Sequence, residues 1–252
     1  MTAPRAAVVP SPEILVWAAH PPTFSDPDGS RLHALLDASE RERAGRFAFE
    51  RDRRQYMAAH GLKRIMLSAL AGPPPRSWAF DQAPHGKPSV RSHAGLHFNL
   101  AHCETLVVCA VSRAFELGVD VEPITRAAPL ELVRDHFSEP ERDWIESLQP
   151  AERCAGFLRI WTLKEALVKA SGRGLSQPLQ AFSFAFDPLR VSLLDADLGD
   201  SRAWRFEQRE IAGHLVALAW RNDHGVRSES VQMRLLRALP PEATGGPRLP
   251  AS

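Results

Sequence analysis

The stretch from Leu117 to Gly172 constrains this 252-residue chain more than any other. It opens with Leu117-Gly118-Val119-Asp120-Val121-Glu122-Pro123, which alternates apolar and polar residues, the period of a strand with one buried face. Leu117, Val119 and Val121 are expected on one side, and Gly118, Asp120 and Glu122 on the other. Residues two apart on a strand have Cα atoms about 6.6 Å apart, so Asp120 and Glu122 present two carboxylates close together. Such a pair repels unless a cation sits between its members. Hard oxygen donors of this kind suit magnesium, which one or two carboxylates hold together with waters and phosphates.

The stretch closes with Trp161-Thr162-Leu163-Lys164-Glu165-Ala166-Leu167-Val168-Lys169, which reads as a helix. Ile160, Leu163, Leu167 and Ala170 recur at spacings of three and four, an apolar stripe. Glu165 and Lys169, one turn apart, share a face. Gly172 and Gly174 stop the helix, with Gly172 as its left-handed cap. Each piece also has an everyday reading. An Asp-x-Glu at a strand end is ordinarily solvated, and a Glu-Lys pair at this spacing is commonly a surface ion pair of about 0.2–0.5 kcal/mol. Together they offer a cation site and an anion site.

The rest of the chain bounds the answer. Hydrophobic residues make up 44% and charged residues 24%, ordinary for a globular protein long enough to bury a core. A net charge of +1 gives no electrostatic case for nucleic acid or a membrane surface. No apolar run is long enough to span a bilayer, and Met1–Trp17 lacks a signal-peptide pattern. Cys103, Cys109 and Cys154 are odd in number and lack zinc spacing, so a reduced, cytoplasmic chain is expected. Charge is uneven: Arg41–Arg64 holds eight basic residues against three acidic, and Leu130–Glu152 seven acidic against two arginines. There is no Gly-x-Gly-x-x-Gly after a strand, which excludes a dinucleotide site of that type.

In chain order, residues 1–12 are expected to be a disordered tail, followed by a strand at Ile14–Ala18, a Pro-rich loop at Pro21–Gly29 and a helical stretch from Arg31. Ser39 and Glu42 form a candidate capping box for a helix through Phe47. Arg51–Leu70 is a long helix with Tyr56, Leu62, Ile65, Met66 and Ala69 inward. Trp78–Phe80, Leu96–Leu100 and Thr105–Val111 read as strands, as does Glu116–Glu122. Helices are expected at Leu130–His136, from Ser138 with Glu141 completing a second capping box, and at Glu152–Ser171. Strands are expected at Ala181–Phe186, Arg190–Leu194, Trp204–Gln208 and His214–Trp220, with a tail over 238–252. Ser39-Glu40-Arg41-Glu42-Arg43 and Ser138-Glu139-Pro140-Glu141-Arg142 hint at an internal repeat 99 residues apart.

Gly118-Val119-Asp120-Val121-Glu122 followed by Trp161-x-x-Lys164-Glu165-Ala166-x-x-Lys169 resembles the paired signature of the 4′-phosphopantetheinyl transferases. Gly86-Lys87-Pro88 and Phe98-Asn99-Leu100-Ala101-His102-Cys103 are similar to two further motifs of that family, in its order. Length places the resemblance with the larger, surfactin-synthetase-type branch. The resemblance implies an α+β fold of two similar halves, here 13–114 and 115–237, forming a pseudo-dimer with the site in the cleft between them. It implies magnesium-dependent transfer of the phosphopantetheine arm of coenzyme A to a serine of an apo acyl or peptidyl carrier protein, releasing 3′,5′-ADP, by a cytoplasmic monomer serving assembly such as secondary metabolite biosynthesis.

By the same resemblance, Asp120, Glu122 and Glu165 are the expected magnesium ligands, with Glu165 as an alternative or additional base. Lys169 is expected at the pyrophosphate, His102 at the phosphates and Lys87 at the nucleotide end. Arg43 is expected at the 3′-phosphate, with Arg46, and more weakly Arg53 and Arg54, as neighbours. Trp161 is expected in the core, and Arg134, Arg142 and Lys164 as candidates for a carrier-facing rim. One departure is Ala101-His102-Cys103, where the family has a Ser before its His. Two other activities share these residues. One is a magnesium-dependent phosphohydrolase or nuclease, which the charge disfavours. The other is a non-catalytic binder of coenzyme A or carrier, which has no need of metal ligands.

Overall fold

A computed structural model of the chain describes residues 13–83, 85–223 and 230–240. The expected tail at residues 1–12, and the expected C-terminal tail beyond residue 240, lie outside them. Where the expected tail over 238–252 is described, at residues 238–240, Leu239 is buried and the Arg31 guanidinium donates to the Pro240 carbonyl at 2.7 Å.

The architecture is one α+β pattern used twice. The first half runs β1 (Glu13–Ala19), α1 (Asp26–Leu35), α2 (Ala38–Gly45), α3 (Glu50–Ala71), β2 (Phe80–Gln82), β3 (Pro88–Val90), β4 (His97–His102) and β5 (Val107–Ser112). The second runs β6 (Leu117–Pro123), α4 (Val133–His136), α5 (Glu139–Ser147), α6 (Arg153–Ser171), β7 (Phe182–Ala185), β8 (Arg190–Leu193), β9 (Trp204–Ile211) and β10 (His214–Arg221). In each half the first strand pairs antiparallel with the last, and the last with its predecessor, giving β1-β5-β4 and β6-β10-β9; β2-β3 and β7-β8 are separate hairpins.

Strand alternation builds the layers. Leu15, Trp17, Val107, Cys109 and Val111 face α1–α3, while Ile14, Val16, Ala18, Val108 and Ala110 face the second sheet. There they meet Leu117, Val119, Val121, Val216 and Leu218, and the opposite side of that sheet, Ala217 and Ala219, packs on α6 through Leu163, Ala166 and Leu167. The order is helices, sheet, sheet, helices. β6 is thus buried on both faces up to Val121, not on one as its alternation predicts, because α6 covers the Gly118–Asp120 side.

The repeat is real, but its register is 101 residues rather than 99. Asp37 and Ser138 are the equivalent caps, Glu40 and Glu141 the equivalent third residues, and Lys63 and Lys164 the equivalent lysines of the long helices. Asp37, not Ser39, caps α2. Glu40 wins over Glu42 because its carboxylate, besides closing the cap, reaches the buried Lys63 at 2.9 Å and Arg64 at 2.8 Å. In the second half Glu141 accepts from Ser138 and Lys164, each at 2.8 Å. Lys63 lies over the Phe80 ring at 3.6 Å and Lys164 over Phe182 at 4.3 Å. At the next position the halves diverge: Glu165 in α6 corresponds to Arg64 in α3, which is fully buried and bonded to Asp37 and Glu40. Only the second half carries a carboxylate at this position of its long helix.

Other expectations change. α1 starts at Asp26, inside the stretch read as a loop, because Ser25 and Asp28 form a capping box and Pro27 occupies a first-turn position. The inward face of α3 is Met57, Ala58, Leu62, Met66 and Leu67, while Tyr56 and Ile65 are only partly buried. A strand absent from the sequence reading, β11 (Ser230–Leu236), pairs parallel with β1. It belongs to the first half's sheet, so 115–237 is not wholly a C-terminal half.

Candidate active site

The site forms where β6 and α6 meet the edge of the first half. A Cβ on Gly118 would lie 2.1 Å from the Ala166 carbonyl oxygen and 2.3 Å from the Ala170 nitrogen, so glycine lets β6 and α6 touch backbone to backbone. That contact sets Asp120 beside Lys169. The ammonium donates to Asp120 Oδ1 at 2.6 Å. Asp120 is 8% exposed, and its Oδ2 is buried with no hydrogen-bond partner. An unpaired buried carboxylate oxygen is costly, and it marks where a further positive group belongs.

Glu165 faces the same spot. It is half-buried, and no hydrogen bond or ion pair engages its carboxylate among the described residues. Burial, and after it the Asp120 charge, hold its carboxyl above the usual glutamate value; Glu122 pushes the same way, while Lys169 and His136 oppose. Glu122 is drawn aside by Arg126, which donates to it. Lys169 therefore pairs with Asp120 rather than with Glu165 one turn away.

The first half supplies His102, at the end of β4. Solvent reaches the ring, yet its neighbours desolvate it. That desolvation, followed by the Lys169 charge, holds the imidazole below its ordinary value, while Asp120 and Asp52 pull it up. Asn99, three residues earlier, accepts from the Val119 amide at 2.9 Å, a direct tie between β4 and β6 across the two halves. The structure thus gathers His102, Asp120, Glu122, Glu165 and Lys169. Ala101 is buried, and Cys103 is half-buried with Sγ 3.8 Å from the Leu106 carbonyl oxygen, so no serine hydroxyl is offered there.

Lys87 reaches the same region from the β2–β3 turn, but its Nζ donates to the Leu117 carbonyl at 3.2 Å and the Ala170 carbonyl at 2.9 Å. Arg43 is exposed with its guanidinium over the Tyr56 ring at 5.6 Å, and Arg46 is exposed and paired with Glu42. No contact among the described residues joins either arginine to the carboxylates. Arg53 and Arg54 pair with Glu50, and Arg54 also with Asp26. Lys164 is not on a rim. It is 0% exposed, donates to the Leu179 and Phe182 carbonyls at 2.7 Å and pairs with Glu141; burial pulls its pKa down to about 8 against that partner. α6 is covered on both faces, so a lysine in its middle is held inside rather than on the rim that the resemblance implied.

Sequence reasoning missed His136. It ends α4, is electrostatically coupled to Glu165 and stands edge-on to Trp161 with centroids 6.2 Å apart. Trp161 in turn stacks on Phe157 at 5.5 Å, and Phe157 on Phe137 at 5.1 Å, a partly buried aromatic pile beneath the site. The one forewarning was a histidine closing a predicted helix.

Among the described residues, no group of three or more His, Cys, Asp or Glu side chains is gathered as a ready metal cage. Lys169 and Arg126 hold two of the three expected ligands. The donor set nevertheless fits a hard divalent cation, since Asp120 Oδ2 lacks a partner, Glu165 lacks one, and all the atoms concerned are carboxylate oxygens. No helix is long and apolar enough to cross a membrane among the described residues.

Both halves of the chain are similar to known proteins. Residues 116–219 match the 4′-phosphopantetheinyl transferase superfamily, and residues 22–114 match the family described as 4′-phosphopantetheinyl transferase, N-terminal. The 4′-phosphopantetheinyl transferase HetI of Nostoc is 34% identical over 167 residues, covering 65% of this chain and 70% of that protein. A 4′-phosphopantetheinyl transferase of Bacillus subtilis is 29% identical over 61% of this chain and 67% of its own length. The human L-aminoadipate-semialdehyde dehydrogenase-phosphopantetheinyl transferase is 28% identical over 91% of this chain and 82% of its own. The chain belongs to the 4′-phosphopantetheinyl transferase superfamily and is an enzyme of that kind.

Proposed function

We propose that the protein transfers the 4′-phosphopantetheine arm of coenzyme A to a serine hydroxyl of an apo acyl or peptidyl carrier protein, with magnesium, releasing 3′,5′-ADP. The observation that supports this best is the Asp120 carboxylate, with Lys169 on one oxygen and nothing on the other, facing a partnerless, partly desolvated Glu165.

In this reaction the serine Oγ–phosphorus bond forms and the pyrophosphate P–O bond breaks, its electron pair leaving on the 5′-phosphate oxygen of 3′,5′-ADP. Glu165 accepts the serine proton directly or through a water. A carboxyl held above its usual pKa is a stronger base, and burial together with Asp120 puts Glu165 in that state. Lys169 supplies positive charge for the diphosphate and His102 lines its first-half side, a fixed electrostatic environment for the charge that develops. Asp120, Glu122 and Glu165 would hold the magnesium ion, which when bound neutralises phosphate oxygens and stabilises the leaving group. Arg43 and Arg46 would extend the basic side toward the 3′-phosphate, and the third donor of Lys87 would serve the nucleotide. Arg134 and Arg142 remain candidates for the carrier-facing side. Cysteines that are all free, and two halves in one chain, support a cytoplasmic monomer. The net charge of +1 supports neither a nucleic-acid nor a membrane partner, and carriers of secondary metabolite assembly are the substrates to try first.

The test is chromatographic release of 3′,5′-ADP from coenzyme A. Release that requires both an apo carrier and magnesium, and stops with chelator, is expected. Carrier-independent hydrolysis would instead favour a phosphohydrolase.

A further inference from the structure

Lys87 lies at a junction that its expected ligand role leaves unexplained. It follows Gly86, whose φ of +86° makes the turn between β2 and β3, and the turn is closed by Gly86 N donating to the Ala83 carbonyl at 2.8 Å. The tip of this first-half hairpin reaches the second half. There the Lys87 ammonium bonds two backbone carbonyls and no carboxylate. One belongs to Leu117, the first residue of β6; the other belongs to Ala170, in the last turn of α6. Carbonyls in the last turn of a helix lack intrahelical donors and sit at the negative end of its dipole, so a cation there is favourable. The stem is closely fitted. Gly172 caps α6 at φ +71°, and a Cβ on it would lie 3.3 Å from Lys87 Cδ. A Cβ on Gly174 would lie 3.4 Å from the His85 carbonyl oxygen.

The two carbonyls belong to the two elements that carry the chemistry. Leu117 is three residues before Asp120, and Ala170 is the residue after Lys169. Gly118 holds β6 and α6 in backbone contact between these points. We propose that Lys87 is a positioning residue that clasps β6 and α6 from the opposite half, fixing Asp120 against Lys169 and Glu165. Substrate-side contacts at the hairpin are thereby linked to the geometry of the catalytic carboxylates. This inference rests on the transferase reading above and adds a role to a residue otherwise expected only to touch the nucleotide.

A ligand role and a clasp role separate in the kinetics. A residue that only binds raises KM or Kd at unchanged kcat, whereas one that positions catalytic groups lowers kcat. The experiment measures kcat at saturating coenzyme A, and coenzyme A affinity by calorimetry, for wild type, Lys87→Met and Lys87→Arg. Arginine keeps the charge a phosphate needs, but its planar fork does not reproduce a compact ammonium on two converging carbonyls. For Lys87→Arg the clasp predicts a fall in kcat on the order of tenfold or more, with coenzyme A affinity within about threefold of wild type. For Lys87→Ala, added ethylammonium is expected to restore part of the lost turnover without changing affinity. Weakened affinity at wild-type kcat in both Lys87→Met and Lys87→Arg overturns the clasp and leaves the transferase reading standing. Absence of transfer by the wild-type protein overturns that reading itself. Should Lys87→Met fail to fold, Lys87→Arg alone carries the decision.

Discussion

Replacing Gly118 by alanine adds one methyl group where the structure has no room for it. The new Cβ would meet the Ala166 carbonyl oxygen at 2.1 Å, the Ala170 nitrogen at 2.3 Å and the Lys169 carbonyl carbon at 2.8 Å. All three are backbone atoms of α6, so no side chain can rotate away. Restoring ordinary contact distances requires β6 and α6 to separate by roughly 1 Å. α6 resists, being tied to α5 and β7 through Lys164. Overpacking against an unyielding wall costs about 1–3 kcal/mol, which for a chain of this size lowers Tm by roughly 2–12 °C. The same separation stretches the 2.6 Å Asp120–Lys169 contact beyond hydrogen-bond range. A displacement of that size at a catalytic group lowers turnover by about 100-fold. Differential scanning fluorimetry and a carrier-modification rate are the assays. Gly29→Ala is the control, since a Cβ there meets nothing within 4 Å. A Gly118→Ala protein with wild-type Tm and wild-type turnover refutes the close β6–α6 contact and the geometry built on it.

Lys164→Met leaves Glu141 charged and fully buried without its partner, a loss of about 3–5 kcal/mol to be read from urea unfolding; retention of wild-type stability would remove Lys164 from the core. Glu165→Gln is expected to abolish transfer while leaving the apo protein as stable as wild type or more so at pH 7. A raised carboxyl pKa means that ionisation costs folded-state stability once pH exceeds the unfolded value, so the Tm advantage of the variant should close as pH falls toward about 4. A transfer rate that survives Glu165→Gln contradicts its assignment as base and ligand. Glu40 behaves in the opposite way. Burial alone would raise its carboxyl, but the His60 hydrogen bond and the Lys63 charge and hydrogen bond outweigh burial and hold it well below the usual value. Its contribution is present above the unfolded pKa and lost as pH falls through the folded one. Glu40→Gln should therefore lower Tm at pH 7 and by a smaller margin at about pH 3, which lies between the unfolded and folded pKa values, and an equal loss at both would count against the buried ionic cluster.

What was legible in the sequence was local. The strand over Leu117–Glu122, the glycine stop at Gly172 and the Ser138–Glu141 capping box depend on neighbours a few residues apart, and each stands in the structure. Contacts distant in the chain were not legible. Lys169 pairs with Asp120, 49 residues away, whereas helix spacing pointed to Glu165. β11 finds its partner β1 across nearly the whole chain, and no local pattern announces that pairing. The second face of β6 is hidden by α6, so a strand that reads as half-exposed is buried. Lys164 looked like a surface charge because its acceptors, Glu141, Leu179 and Phe182, lie on two other stretches of chain. The capping box moved from Ser39 to Asp37 for the same reason: two overlapping local signals were equal until Lys63 and Arg64, 23 and 24 residues away on α3, chose Glu40.

The central claim is that the Asp120–Glu165–Lys169 cluster moves a phosphopantetheine arm onto a carrier serine. Its most direct test is intact-mass spectrometry of an apo carrier protein incubated with this protein, coenzyme A and magnesium, beside a carrier whose acceptor serine is alanine. The expected result is a gain of one phosphopantetheine arm on the serine carrier alone, lost with Asp120→Asn, with Glu165→Gln or with chelator. An undiminished gain with both variants, or no gain on any acyl or peptidyl carrier while coenzyme A still binds, would contradict it.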